Sequence, residues 1–187
     1  MTKKKYQGHL LVANPNNPKD YLEKSVLLLV THTDNLAVAL QINNLRSEMN
    51  LSQISTTLGL PYHGPDTVYY GGNIAQNKIH VIHSLDWRGL STITLNDHLG
   101  ITNDISILAA ISRDEGPEYF RACSGYWMWE NGVFDQMLDP KQFATCPEPY
   151  RWEIAPGTIQ SVFEVDAKDH WEHSIEASAR YRVNEWI

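Results

Sequence analysis

The sequence predicts an α+β fold in which a mixed β-sheet carries helices at its periphery. Three observations lead there. Apolar and β-branched runs bounded by Gly, Pro, Asn and Asp recur along the chain and outnumber the stretches with helical periodicity. These runs do not alternate strictly with helices, as a doubly wound parallel sheet requires. The most aromatic stretch, from Gly125 to Phe134, reads as a strand that passes through a Gly-containing turn into a helix, and it marks the centre of the core.

Taken in order, residues 8–13 read as the first strand, ended by the prolines and asparagines of residues 14–18, which favour turns. Residues 20–24 suit a single helical turn. Two continuous apolar runs follow, 25–31 and 36–43, joined by Thr33-Asp34-Asn35 as a hairpin-like connection, and such runs imply strands buried on both faces. Asn50 with Gln53 resembles a capping box for a helix carrying Leu51, Ile54 and Leu58 on one side, closed by Gly59 and Pro61. Strands are expected at 67–70, 78–83 and 91–95, and a helix near Asn103 with Ile105, Leu108 and Ile111 as its stripe. On the aromatic strand, alternation sets Trp127 and Trp129 on one face and Tyr126 and Met128 on the other, with each indole N–H needing a carbonyl or water. Asn131 is placed to cap a short helix in which Val133 and Met137, and Phe134 and Leu138, stand four apart until Pro140. Residues 143–146 and 158–165 are weaker strand or loop candidates. A closing helix follows, capped by Asp166, with Trp171, Ile175 and Ala179 on one face.

At 187 residues the chain reads as one domain over 1–187, with 1–5 as a tail, and a domain of this size buries roughly 70% of its unfolded surface without needing a staple. The net charge of −7, from 22 acidic and 15 basic residues, disfavours bulk attraction to a phosphate backbone. Lys3-Lys4-Lys5 is its basic run and reads as a solvated tail. Tyr6-Gln7-Gly8-His9 interrupts any signal-like apolar segment, and residues 26–30 are too few to span a bilayer, so the expected location is the cytoplasm. Cys123 and Cys146 lack a C-x-x-C spacing and read as reduced thiols.

Several ordered motifs then resemble one family. Residues 8–15, Ser25-Val26 before an apolar strand, His32, Ile42-Asn43, Gly71-Gly72, Ile82-His83-Ser84, and Gly125-Tyr126 through Trp129 and Gly132 follow the pattern of the YqgE/AlgH proteins. The resemblance implies a curled, bifurcated mixed sheet, a pseudo-barrel, flanked by helices. It implies little chemistry, since the family is largely uncharacterised, although some members are named as transcriptional regulators. This chain departs from the pattern in having Asn73 where a proline is usual after the two glycines, and Ala37 and Ala39 where glycines are usual. Its helix after the tryptophan opens Gly132-Val133-Phe134-Asp135 in place of Gly-Gln-Leu-Glu.

Candidate chemistry is sparse. His80 and His83 lie three apart on a strand and point to opposite faces, which argues against a shared metal. His170 and His173 stand on neighbouring helical turns near Asp166, Asp169 and Glu172 and form the weak metal alternative. Ser84 beside His83 and Asp86 cannot make a triad from one strand, Cys123-Ser124-Gly125 is no nucleophile elbow, and Cys146 adds no motif. Gly71-Gly72 lacks a phosphate-loop spacing and reads as a place of close backbone approach. A binding pocket, if built from family positions at strand ends, would use His32, Asn43, Gly71, Gly72, His83 and Trp129. The reading is therefore a cytoplasmic protein without catalytic residues, metal or cofactor. It binds a small ligand or protein partner and not nucleic acid or membrane, and acts in regulation. The alternative is a hydrolase or metal-dependent enzyme using His32, His83 or His170 with His173.

Overall fold

The computed structural model of the chain describes residues 6–16, 19–130, 132–138 and 151–185. The predicted tail, Asn131, Pro140 and the segment 143–146 lie outside the described residues.

The chain runs from β1 (Leu10–Ala13) through β2 (Val26–His32), β3 (Leu36–Gln41), β4 (Leu45–Asn50), α1 (Leu51–Thr57), β5 (Thr67–Tyr70) and β6 (Ile74–Ser84). It continues through β7 (Ile93–Thr94), β8 (Leu99–Thr102), α2 (Ser106–Ile111), β9 (Phe120–Glu130) and α3 (Val133–Met137). It ends with β10 (Trp152–Ala155), α4 (Ile159–Phe163) and α5 (His170–Glu185). Strands pair in the order β10-β1-β2-β3-β9-β6-β8-β7, with β5 joining both β4 and β9. The pairs are antiparallel except β5 with β9, so the sheet is mixed and strongly curled, as expected.

β9 is where the sheet divides. Its first part lies between β5 and β6, while residues from Trp127 onward pair with β3. Gly125, at φ +72°, turns the strand at the division. The backbones come so close here that a Cβ on Gly72 would lie 2.5 Å from Trp127 N and nearer still to the Tyr126 carbonyl group. Only glycine permits that approach.

Three apolar clusters follow from the alternation of side chains. On the concave face Leu10, Val12, Val26, Leu28, Leu40, Ile42 and Ile82 meet Val162 of α4 and Trp171 and Ile175 of α5. On the convex face Leu27, Leu29, Ala37, Ala39 and Trp127 pack under Phe134 and Met137 of α3. Small Ala37 and Ala39 sit directly opposite Trp129 and Trp127, so the indoles lie over short side chains. The third cluster joins Val68, Val81 and Ala122 to Leu51, Ile107 and Leu108 beneath α1 and α2.

Some expectations are corrected. β4 was not foreseen because its sequence is polar and it borders only β5, where one side of the strand meets solvent. β8 and β10 are only four residues long and carry no clear alternation. Within 158–165, expected as strand or loop, Ile159–Phe163 form a helix: Thr158 and Ser161 cap α4 reciprocally, in a helix too short to show a period. The strand expected at 91–95 shrinks to Ile93–Thr94, and that at 78–83 grows to Ile74–Ser84. Asp166 does not cap α5; its carbonyl accepts from Asp169 N in the preceding turn. Ala179 is exposed, and the buried stripe of α5 is His170, Ser174 and Ser178. In α1, Asn50 caps as expected, its Oδ1 accepting from Gln53 N at 3.0 Å. In α2 the inward residues are Ile107 and Leu108, leaving Ile105 exposed.

Candidate ligand-binding site

His32 and Trp129 are brought together. β2 carries a bulge between Leu29 and Thr31, so that Val30 and Thr31 both face the concave side and His32 is turned to the convex one. There His32 pairs with Ala37, and Ala37 pairs with Trp129, which sets the three in a row across β2, β3 and β9. Phe134 fills the space between, its ring 5.0 Å from the His32 ring and 5.5 Å from Trp129. The His32 Nε2–H donates to Asp135 Oδ1 at 3.1 Å, and Tyr6 stacks on the imidazole at 6.2 Å. Asp135 thus sets a carboxylate on this histidine. With His32 only 2% exposed, the cluster fastens α3 to the sheet and is a closed structure.

The other expected residues lie elsewhere. Asn43 Oδ1 accepts from Val26 N at 3.0 Å and its Nδ2 donates to Lys24 O at 2.9 Å, tying the start of β2 to the end of β3. Gly71 spans the seam: its N–H donates to Ser124 O, and its carbonyl accepts from Gln41 N. His83 pairs with Phe120, at the opposite end of β9 from Trp129. It is fully buried, donates Nδ1–H to Ser84 O at 2.8 Å and meets Trp87 edge-on. Burial holds its pKa below the usual histidine value. The six expected positions thus do not share one cavity.

His170 is also wholly buried and donates Nε2–H to Ser161 O at 2.7 Å. Burial first, and then the charge of Arg121, draw its pKa down to about 4. Its side chain faces the interior while His173 is only half-buried. Among the described residues no three His, Cys, Asp or Glu side chains stand together as a metal-holding group. The Trp127 ring stacks on Tyr21 at 5.6 Å and meets Tyr70 edge-on at 6.4 Å.

The open site is on the concave face. α5 packs against β10, β1 and β2, and beyond it the curl of the sheet holds a cleft of about 350 Å³. Leu36, Val38 and Leu40 of β3 and Met128 of β9 form an apolar wall, and His80, Ser91 and Thr102 lie on the far side with Ile93 and Ile101. No lining side chain is an acid, a lysine or an arginine. Burial, and secondarily the charge of Lys78, lowers the pKa of His80, so the imidazole is neutral at neutral pH. Its ring makes an edge contact with Tyr126 at 5.8 Å, and its enclosed Nε2 has no hydrogen-bond partner among the described residues. His80 and His83 do point to opposite faces. A second cleft, of about 460 Å³, lies between β6 and the two helices α1 and α2, rimmed by the exposed Leu58 and Ile105. Sequence reasoning missed both, because it sought polar family positions at strand ends. The available signal was the set of alternate β3 positions 36, 38 and 40, whose side chains share one face.

A family profile described as AlgH-like matches residues 10–180. The chain belongs to the AlgH-like family. Among AlgH-like relatives, a UPF0301 protein of Methylococcus capsulatus is 28% identical over 171 residues, covering 90% of this chain and 89% of the relative. One from Gluconobacter oxydans is 27% identical, covering 91% and 89%. The solution structure of AlgH from Pseudomonas aeruginosa superposes with a TM-score of 0.72 at 22% identity, covering 95% of this chain and 91% of that one. The crystal structure of a Corynebacterium diphtheriae protein gives 0.67 at 19%, covering 89% and 86%. The two superpositions show the fold, and the profile match shows the family expected from the sequence. No described helix is long and apolar enough to cross a membrane.

Proposed function

We propose that this AlgH-like chain is a non-enzymatic cytoplasmic protein that binds a small molecule on the concave face of its sheet and acts in regulation through that binding. The observation that carries the reading is the open cleft itself, whose volume falls within the range of roughly 300–1,000 Å³ usual for small-molecule sites. Its apolar wall and few polar groups have the make-up of such sites. The described candidates Cys123, Ser84, His32 and His83 are otherwise engaged. Burial pushes the Cys123 thiol up to about 12, Ser84 Oγ donates to Asp86 Oδ1 and accepts from Tyr119 N, and His32 and His83 are held by Asp135 and Ser84. Among the described residues no assembled group stands behind the alternative of a hydrolase or metal-dependent enzyme. The net charge of −7 supports a role without direct nucleic-acid contact. A protein partner would find its apolar footing at Leu58 and Ile105, on the second cleft.

Filling the cleft tests the reading. Val38→Trp should abolish binding of the neutral dye Nile red while leaving the circular dichroism spectrum unchanged. Equal dye binding by a folded Val38→Trp protein would refute the concave site.

A further inference from the structure

We infer that the concave cleft selects an uncharged amphiphile, an apolar chain carrying one hydrogen-bonding head group, seated with its head at His80 and its tail along β3. This rests on the proposed concave binding site and adds the chemical class of its occupant.

The sheet order itself grades the wall. Following β2, β3, β9, β6, β8 and β7 round the curl, the lining passes from a part walled by Leu36, Val38, Leu40 and Met128, with Thr31 and Tyr126 as its polar exceptions, to one where His80, Thr102, Asn103 and Ser91 stand among Ile93 and Ile101. A ligand apolar throughout would leave the second half unmatched. A ligand polar throughout would be stripped of water along the first half without compensation.

Charge decides the head group. With no cationic or acidic side chain in the lining, an ionised carboxylate, phosphate or amine entering the cleft would lose hydration and meet no counter-charge. A hydroxyl, amide or ketone carries a much smaller penalty and needs one partner.

His80 is that partner. Ser91 Oγ and Thr102 Oγ1 already satisfy each other at 2.8 Å, and Thr102 Oγ1 also accepts from Asp104 N. The His80 Nε2 has no such bond among the described residues. A neutral imidazole offers one donor and one acceptor, and rotation about its last side-chain torsion exchanges which nitrogen faces the cleft.

The test compares octanol, octanoate and octylamine, which share a tail and differ in head charge, by titration calorimetry at neutral pH. Octanol should bind at least tenfold more tightly than either charged analogue. His80→Leu should weaken octanol by about three- to tenfold, the loss of one neutral hydrogen bond, and leave the two charged analogues unchanged. In the unaltered protein, octanol should shift the ring-nitrogen NMR signals of His80 and leave those of His83 and His170 in place, a readout that does not depend on the variant folding. Octanoate or octylamine binding as tightly as octanol, with Val38→Trp blocking it, would overturn the inferred class and spare the concave site. Octanol binding that His80→Leu leaves intact, or His80 signals that do not move, would overturn the placement of the head. Binding of none of the three, together with unimpaired Nile red binding by Val38→Trp, would remove the site and the inference together.

Discussion

Substituting Gly72 by alanine isolates the steric demand at the division of the sheet. The new Cβ would stand 2.5 Å from Trp127 N and closer to the Tyr126 carbonyl group, whereas non-bonded carbon contacts settle at about 3.5–4.0 Å. The backbones of β9 and of the segment after β5 must therefore separate by about 1 Å. Overpacking typically costs about 1–3 kcal/mol when side chains can yield. Here the atoms met are main chain and cannot rotate aside, which places the cost at about 3 kcal/mol or above, a large part of a typical total stability of roughly 5–15 kcal/mol. At about 2–4 °C per kcal/mol for a chain of this length, Tm should fall by roughly 6–12 °C. Gly59→Ala is the control. Gly59 has a left-handed φ, +70°, which Gly72 lacks, and nothing lies within 4 Å of its added Cβ, so only a conformational cost of about 1 kcal/mol applies there. Urea denaturation of both variants, with midpoints and slopes measured together, reads the difference. Equal midpoints for Gly72→Ala and Gly59→Ala would refute the argument from close backbone approach.

Other outcomes follow from the same geometry. Phe134→Ala removes the ring between His32 and Trp129 and should cost about 3–5 kcal/mol, with a matching loss of the Trp near-ultraviolet dichroism. The folded-state pKa of His170, about 4, lies below the ordinary 6.5, so the unfolded chain binds a proton in this interval that the folded chain does not. The stabilisation is complete above pH 6.5 and is lost as pH falls towards 4, amounting to an order of 3 kcal/mol; His170→Gln should flatten that part of the denaturation-midpoint profile. Cys123 should resist iodoacetamide in the native protein at neutral pH and react after denaturation, as read by mass spectrometry of its peptide, because burial raises its thiol to about 12.

The parts of the fold that were legible from sequence are those whose residues report their own burial. The run at 25–31 is apolar because β2 is covered on both faces, that at 36–43 because β3 is buried on one face and walls the cleft with the other, and the aromatic strand reads from its composition alone. β4, with Arg46, Glu48 and Asn50, gives no such signal because pairing with β5 sets its place and burial does not. The facing of His32 was illegible for another reason. It depends on one additional residue in β2, and no residue type announces a bulge beforehand. Asn43 and His83 drew notice as polar residues at strand ends, yet both satisfy their neighbours' backbones. Polarity at a strand end is required equally for closing a ladder and for holding a ligand. The concave cleft lay unnoticed because its wall is made of ordinary leucine and valine positions; the curl of the sheet makes it a recess, and curl is a property of many strands at once.

The sharing of β9 among β3, β5 and β6 has a consequence for biosynthesis. The strand that all three await begins only at Phe120, so a growing polypeptide displays unzipped ladders on each of them until the residues from Phe120 onward have been made. Long-range pairing of this kind is slow, and open ladders recruit other chains. Fragments terminated ahead of Phe120 should therefore precipitate, and nascent chains should draw on chaperones until the late strand arrives and closes the gaps in a single step.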